Sequence, residues 1–179
     1  MTALLSVAGL AKHFPVKQGA FGRVAGHVRA VDGIDFELKA GETLGIVGES
    51  GSGKTVMSRA TMGLLRGRRV KRGGSVRFEG TELLPLSNKD IREFWGTKIS
   101  MVFQDPMTAL NPVRRIQSQM AEALVKRLGK TKLEAEARSL ELMKLVHIPD
   151  PEAVLRKYPH QLSGGMRQRV MIAMAIACN

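Results

Sequence analysis

Thr43-Leu44-Gly45-Ile46-Val47-Gly48-Glu49-Ser50-Gly51-Ser52-Gly53-Lys54-Thr55 is an apolar run that passes straight into a glycine-rich turn. Thr43–Val47 has almost no polar interruption, which predicts a central parallel strand buried on both faces. A helical pattern follows from about Lys54 to Leu65. Between the two, the spacing Gly48-x-x-x-x-Gly53-Lys54-Thr55 has a direct physical reading. Glycines let the backbone curl until successive N–H groups point at one spot, and the start of the following helix adds its positive dipole end. The predicted product is a phosphate cradle. Lys54 is the mobile cation for the β- and γ-phosphates, and the hydroxyl of Thr55 is a hard oxygen donor for Mg²⁺. Gly48, Glu49, Ser50, Gly51, Ser52, Gly53, Lys54, Thr55 and Val56 are therefore candidate nucleotide-binding residues. Alone, they indicate phosphate binding and no particular task.

Upstream, Leu4–Val7, Ala30–Val31 and Ile34–Leu38 read as short strands, with Lys17–His27 a loop or hairpin excursion. Downstream, Ser75–Phe78 reads as a strand, Ile91–Trp95 as a short helix, and Ile99–Phe103 as a second core strand closed by Gln104-Asp105-Pro106. From Val113 to Val146 the period becomes helical. Met120, Leu124 and Leu128 recur every four residues, Gly129 divides two helices, and Leu133, Ala137, Leu140 and Lys144 carry the second face. Ile148-Pro-Asp-Pro151 and Pro159 break the pattern, and Ser163 opens a last helix. A parallel α/β sheet would continue with another strand after Asn179, so the sequence reads as incomplete.

Composition narrows the classes. The chain has 179 residues, 44% of them hydrophobic and 25% charged, which is ordinary for a globular protein. No apolar stretch approaches the ~20 residues of a membrane span, and no basic segment precedes a long apolar core at the N-terminus. The lone Cys178, among apolar neighbours, predicts a buried and inert thiol. A net charge of +12 is the one oddity. It is compatible with nucleic acid, with an anionic membrane surface, with solvated turns such as Arg66-Gly-Arg-Arg-Val-Lys-Arg72, or with loss of an acidic part of the protein. Aromatic residues are only 4%, too few for the stacking platforms of a single-strand binder.

Leu162-Ser163-Gly164-Gly165-Met166-Arg167-Gln168 lies at a helix start, where amides are unpaired and a second anion can be held. It resembles the signature motif of ABC ATPases, usually written LSGGQ. Ser163 stands 109 positions after Lys54, with a helical insert between. Phe103-Gln-Asp-Pro-Met-Thr-Ala-Leu-Asn-Pro112 and Tyr158-Pro-His-Gln-Leu-Ser-Gly-Gly-Met-Arg-Gln-Arg-Val-Met-Ile-Ala173 are similar to segments of the ATPases that serve oligopeptide, dipeptide and nickel importers. The resemblance covers essentially the whole chain.

The resemblance implies an α/β P-loop NTPase core with an N-terminal antiparallel β subdomain and a helical insert, incomplete at the C-terminus. Residues 1–179 would be part of one nucleotide-binding domain, with a helical subdomain at roughly 113–165. It implies ATP and Mg²⁺ as ligands. Phe14 would stack on adenine, Gln104 would approach Mg²⁺ and the attacking water, and Leu162, Ser163, Gly164, Gly165 and Met166 would close over ATP held by a second subunit in a head-to-tail dimer. Asp105 then belongs to the Gln104 loop and is not the Mg²⁺-ordering aspartate, which in this family follows the signature helix. The implied partners are a second ATPase subunit, transmembrane permease subunits and, indirectly, a solute-binding protein, at the cytoplasmic face of the inner membrane, with no nucleic acid. The basic Arg66–Arg72 turn would face solvent or lipid head groups. The catalytic carboxylates of the family are absent from these residues, so the 179-residue chain is expected to bind ATP and hardly hydrolyse it. The alternatives are an ABC-type ATPase acting on nucleic acid or the ribosome, and a non-catalytic nucleotide-binding module.

Overall fold

A computed structural model describes residues 3–18, 23–67, 70–105 and 109–178. It divides into two compact units, Met1–Ile91 and Arg92–Asn179.

The first unit is built on one long hairpin. Strand β1 (Leu5–Gln18) runs antiparallel to β2 (Arg23–Leu38), from Leu5↔Leu38 to Gln18↔Arg23. The three short strands read from the sequence are thus parts of two long ones, and much of the expected Lys17–His27 loop is strand. On its other side β1 pairs with β3 (Lys71–Phe78), and β3 pairs with the two-residue β4 (Thr81–Glu82). The order is β2-β1-β3-β4. Glu79 and Gly80 both have positive φ (47° and 77°), the conformation of the two-residue turn that matches strand twist. Val7, Leu10, Val31, Val76 and Leu83 are buried in this unit, as are Met57 and Ala60 of helix α1 (Lys54–Thr61).

Helix α1 is shorter than its apolar pattern. Gly63 adopts φ 67°, its amide returns to Ala60 O and that of Leu64 to Arg59 O. This pair of bonds is a left-handed glycine stop, and it overrides the apolar Leu64 and Leu65 beyond it.

Two expected core strands are not strands here. Thr43–Val47 carries no ladder, and Leu44, Ile46 and Val47 are exposed, Val47 at 93%. Ile99–Phe103 has only an isolated bridge from Ile99 to Trp95, and Val102 and Phe103 are exposed. A parallel strand exists only through its neighbours' hydrogen bonds. Among the described residues no strand pairs with either segment.

The second unit is helical. After a short α2 (Ile91–Phe94), it packs α3 (Ile116–Leu128), α4 (Lys132–Leu145), α5 (Pro151–Arg156) and α6 (Gly164–Ala175) around Ile116, Met120, Leu124, Leu142, Met143 and Val170. Gly129 (φ 63°) ends α3, with its own amide and that of Lys130 returning to Val125 O and Leu124 O. Thr131 and Glu134 form a reciprocal capping box at the start of α4. The buried face of α4 is Ala135, Ser139, Leu142 and Met143, while Leu133 is exposed. Of the face read from the sequence, Leu133, Ala137 and Lys144 are exposed, while Leu140 is partly buried against the core. Ser139 tolerates full burial because its hydroxyl donates to Ala135 O at 2.6 Å. Cys178 is half-buried, and desolvation pushes its thiol up despite Arg127, which suits an inert group. Among the described residues no helix is long and apolar enough to cross a membrane.

Glu122 ties α3 to the turn before it. Its carboxylate accepts from Lys126 Nζ at 2.6 Å and from Arg114, and these bonds hold its pKa at about 2. A depressed acid stabilises the fold above its ordinary value near 4.5, and that contribution disappears as pH falls toward 2. Glu122→Gln should therefore lower the melting temperature at pH 7 and make no difference at the acid end. A gap that is constant with pH would contradict this account.

Candidate functional site

The loop Gly48–Thr55 is shaped by two constraints. Gly51 and Gly53 sit at φ 83° and 90°, a region that costs L side chains about 1 kcal/mol or more. Gly53 also has no room for a side chain, since a Cβ there would lie 2.5 Å from Ala30 O. Ala30 is a bulge residue. The register passes from Lys12↔Val31 to His13↔Arg29, leaving Ala30 unpaired between them. An extra residue in β2 thus presses a carbonyl against the turn from which α1 starts. Nothing in the sequence marks that bulge. Phe14 lies close by in the ladder, half-buried and paired with Val28.

The first ladder bond of α1 runs from Met57 N to Gly53 O at 2.8 Å. The amides of Lys54, Thr55 and Val56 precede it and have no backbone partner among the described residues. Lys54 folds back over the loop, and its ammonium donates to Gly48 O and Glu49 O, both at 2.7 Å, and to Ser52 Oγ at 3.2 Å. Gly48 leaves the space that this needs, because a Cβ there would meet Ser52 Oγ at 2.8 Å. Thr55 is exposed on the first helical turn. The cluster thus offers unpaired amides, one ammonium and an exposed hydroxyl, a donor set suited to phosphate oxygens with a hard cation beside them.

The second motif repeats the device in the other unit. Ser163 caps α6, its Oγ accepting from Met166 N at 3.3 Å, and the helix ladder begins with Arg167 N to Ser163 O at 3.0 Å. The amides of Gly164 and Gly165 are left ahead of the ladder, both residues are exposed, and a Cβ at either would meet nothing within 4 Å. Neither conformation nor internal packing asks for glycine here. Leu162 is buried and anchors the motif to the helical core. Arg167 Nε donates to Pro159 O at 2.8 Å and Arg169 to His147 O at 2.6 Å, pinning the helix start. The sequence reading missed this pinning by Arg167 and Arg169. Gln104 is exposed in a bend after Phe103, and Asp105 is also exposed, while residues 106–108 lie outside the described residues.

The ABC transporter family profile matches residues 31–179. The chain belongs to the ABC transporter family. It is 52% identical over 176 residues to the dipeptide transport ATP-binding protein DppD of Haemophilus influenzae, covering 98% of this chain and 51% of that protein. To the oligopeptide transport ATP-binding protein OppD of Bacillus subtilis it is 46% identical over 180 residues, covering 100% of this chain and 48% of that one. The chain spans about half the length of these relatives. Its fold is similar to that of an ATP-binding cassette solved as a dimer in a post-hydrolysis state with ADP and Pi, at TM-score 0.83 and 26% identity over 98% of this chain and 70% of that one. The resemblance read from Leu162–Gln168 and Gly48–Thr55 is that of the family the profile finds.

Gly53→Ala should distort the loop through both its φ and the Ala30 carbonyl, with a loss of about 2 kcal/mol in stability. Gly164→Ala should leave stability unchanged or slightly raised. Thermal melts of the two variants check the contrast, and equal effects would contradict the geometry.

Proposed function

We propose that this chain is the nucleotide-binding part of an ABC importer subunit that couples ATP binding and hydrolysis to the uptake of peptides or similar small solutes. The observation that carries the proposal is the run of unpartnered amides at Lys54–Val56, set over glycines whose space a side chain would fill. Relatives named for dipeptide and oligopeptide transport support the solute class.

In this reading the Gly48–Val56 amides hold the phosphates, and Lys54 exchanges its bonds to Gly48 O and Glu49 O for charged phosphate oxygens. Charge-assisted bonds are roughly twice as strong as neutral ones, so the exchange is favourable. Phe14 takes the adenine face. Thr55 is the proposed holder of Mg²⁺, which would supply charge neutralisation at the nucleotide's phosphates. Leu162–Met166 serves the nucleotide of a second subunit, with the Gly164 and Gly165 amides and the Ser163 hydroxyl proton facing its γ-phosphate. A solved relative that is itself dimeric supports that partner. The reading further assigns permease subunits as partners, a peripheral position on the cytoplasmic side of the inner membrane, and one nucleotide-binding domain with a helical subdomain at about 113–165.

In the whole protein, Lys54→Ala should lower ATP turnover by about 10²-fold or more with an unchanged melting temperature, since its ammonium touches only the loop. A steady-state ATPase assay reads this. Retained turnover would overturn the proposal.

A further inference from the structure

Five of the seven positions from Arg66 to Arg72 are basic. Arg68 and Arg69 lie outside the described residues and are no part of the site. Arg66, Arg72 and Asn88, with the turn Leu84–Leu86 on one side, line a cavity of about 450 Å³ in the first unit. That volume falls in the range of small-molecule sites.

The Arg66 guanidinium is fixed in place. Its Nε donates to Gly63 O at 2.8 Å, and NH1 donates to Leu86 O at 2.5 Å and to Asn88 Oδ1 at 3.3 Å. Its NH2 is buried without an acceptor, the one such side-chain nitrogen or oxygen among the described residues. Asn88 uses its oxygen on Arg66, which leaves its amide hydrogens as donors. Lys12, only 3% exposed, stands opposite Arg72 in the β1–β3 ladder and donates to Leu65 O. Among the described residues no carboxylate pairs with Lys12, Arg66 or Arg72. Burial first, then Arg72 and Arg66, push the Lys12 ammonium down to about 8, and burial together with Arg72 lowers Arg66 as well.

Three neighbouring cations with no countercharge are an unfavourable arrangement that a bound dianion relieves. The charged and amide side chains of the lining present donors and no carboxylate, so they match an acceptor-rich anion and mismatch a cation. Arg66 contributes a fixed charge, its Nε and NH1 already donating and its NH2 buried, while the exposed Arg72 guanidinium keeps its donors for a tetrahedral oxyanion. We propose that this cavity binds a phosphate-class oxyanion on Arg72 and the Asn88 amide, beside the fixed charge of Arg66 and separately from the loop at Gly48–Thr55, the anion being free phosphate or the head group of a larger molecule.

The test uses the whole protein carrying Lys54→Ala, which silences the nucleotide loop. Inorganic phosphate is titrated by calorimetry, and vesicles of phosphatidylglycerol or phosphatidylcholine are tested by flotation. The expected result is that binding survives Lys54→Ala and weakens at least about tenfold when Arg72→Gln is added. Arg66→Gln should do the same, but Arg66 also ties Gly63 to Leu86. Arg72→Gln is therefore the decisive variant, because the Arg72 side chain makes no hydrogen bond or ion pair with the described residues, and a melt confirms its folding. Arg72-dependent phosphate binding supports a free anion. Arg72-dependent binding to phosphatidylglycerol vesicles alone supports a head group. The proposal is overturned if neither probe binds in the Lys54→Ala background, or if both bind equally well with and without Arg72.

Discussion

A helix cannot hydrogen-bond its own first amides, and the candidate chemistry of this chain depends on that constraint. It appears at Lys54–Val56 behind Gly53 and again at Gly164–Gly165 behind Ser163, each time ahead of the first ladder bond. The two starts solve the problem differently. At α6 a serine hydroxyl takes the Met166 amide and leaves the two glycines open. At α1 no side chain caps, Gly53 is left-handed, and the Lys54 ammonium folds over the loop. The first arrangement is a partly capped surface. The second is a cradle with its own cation.

Each unit holds its helix start rigid by a different device. In the first, the Ala30 bulge drives a carbonyl against Gly53, so the sheet itself sets where α1 begins. In the second, Leu162 enters the helical core and Arg167 and Arg169 reach back to carbonyls of preceding turns. Backbone packing serves one site and side-chain anchoring the other. This fits their neighbourhoods, a twisted hairpin in one case and a helical core fed by long side chains in the other.

What could be read from the sequence was what is decided locally. The glycine loop, the division at Gly129 and the cap at Ser163 each follow from a residue whose own backbone or side chain makes the feature. The length of the β1–β2 hairpin, the Ala30 bulge and the fate of Thr43–Val47 and Ile99–Phe103 depend on partners far along the chain, and apolar content does not name partners. The face of α4 failed for a related reason. Leu133 is more apolar than Ala135 and Ser139 and yet stays exposed, since close packing favours small residues and Ser139 satisfies its hydroxyl on its own helix. At Gly63 the left-handed stop falls before Leu64 and Leu65, so the apolar pattern runs past the end of α1.

The same reasoning separates two kinds of positive charge. Lys54 is surrounded by neutral oxygens of its own loop, which keep the ammonium satisfied while leaving every acceptor weaker than a phosphate oxygen. A charge held this way is selective, because only an anion repays the loss of three hydrogen bonds. Arg66 and Lys12 also donate to carbonyls, but beside a further cation and with one guanidinium nitrogen buried and unmatched. There the unsatisfied term is electrostatic as well as geometric. Within a net charge of +12, uninformative as a sum, these four cations thus stand in two different settings, one balanced by the oxygens of its own loop and one crowded by like charge.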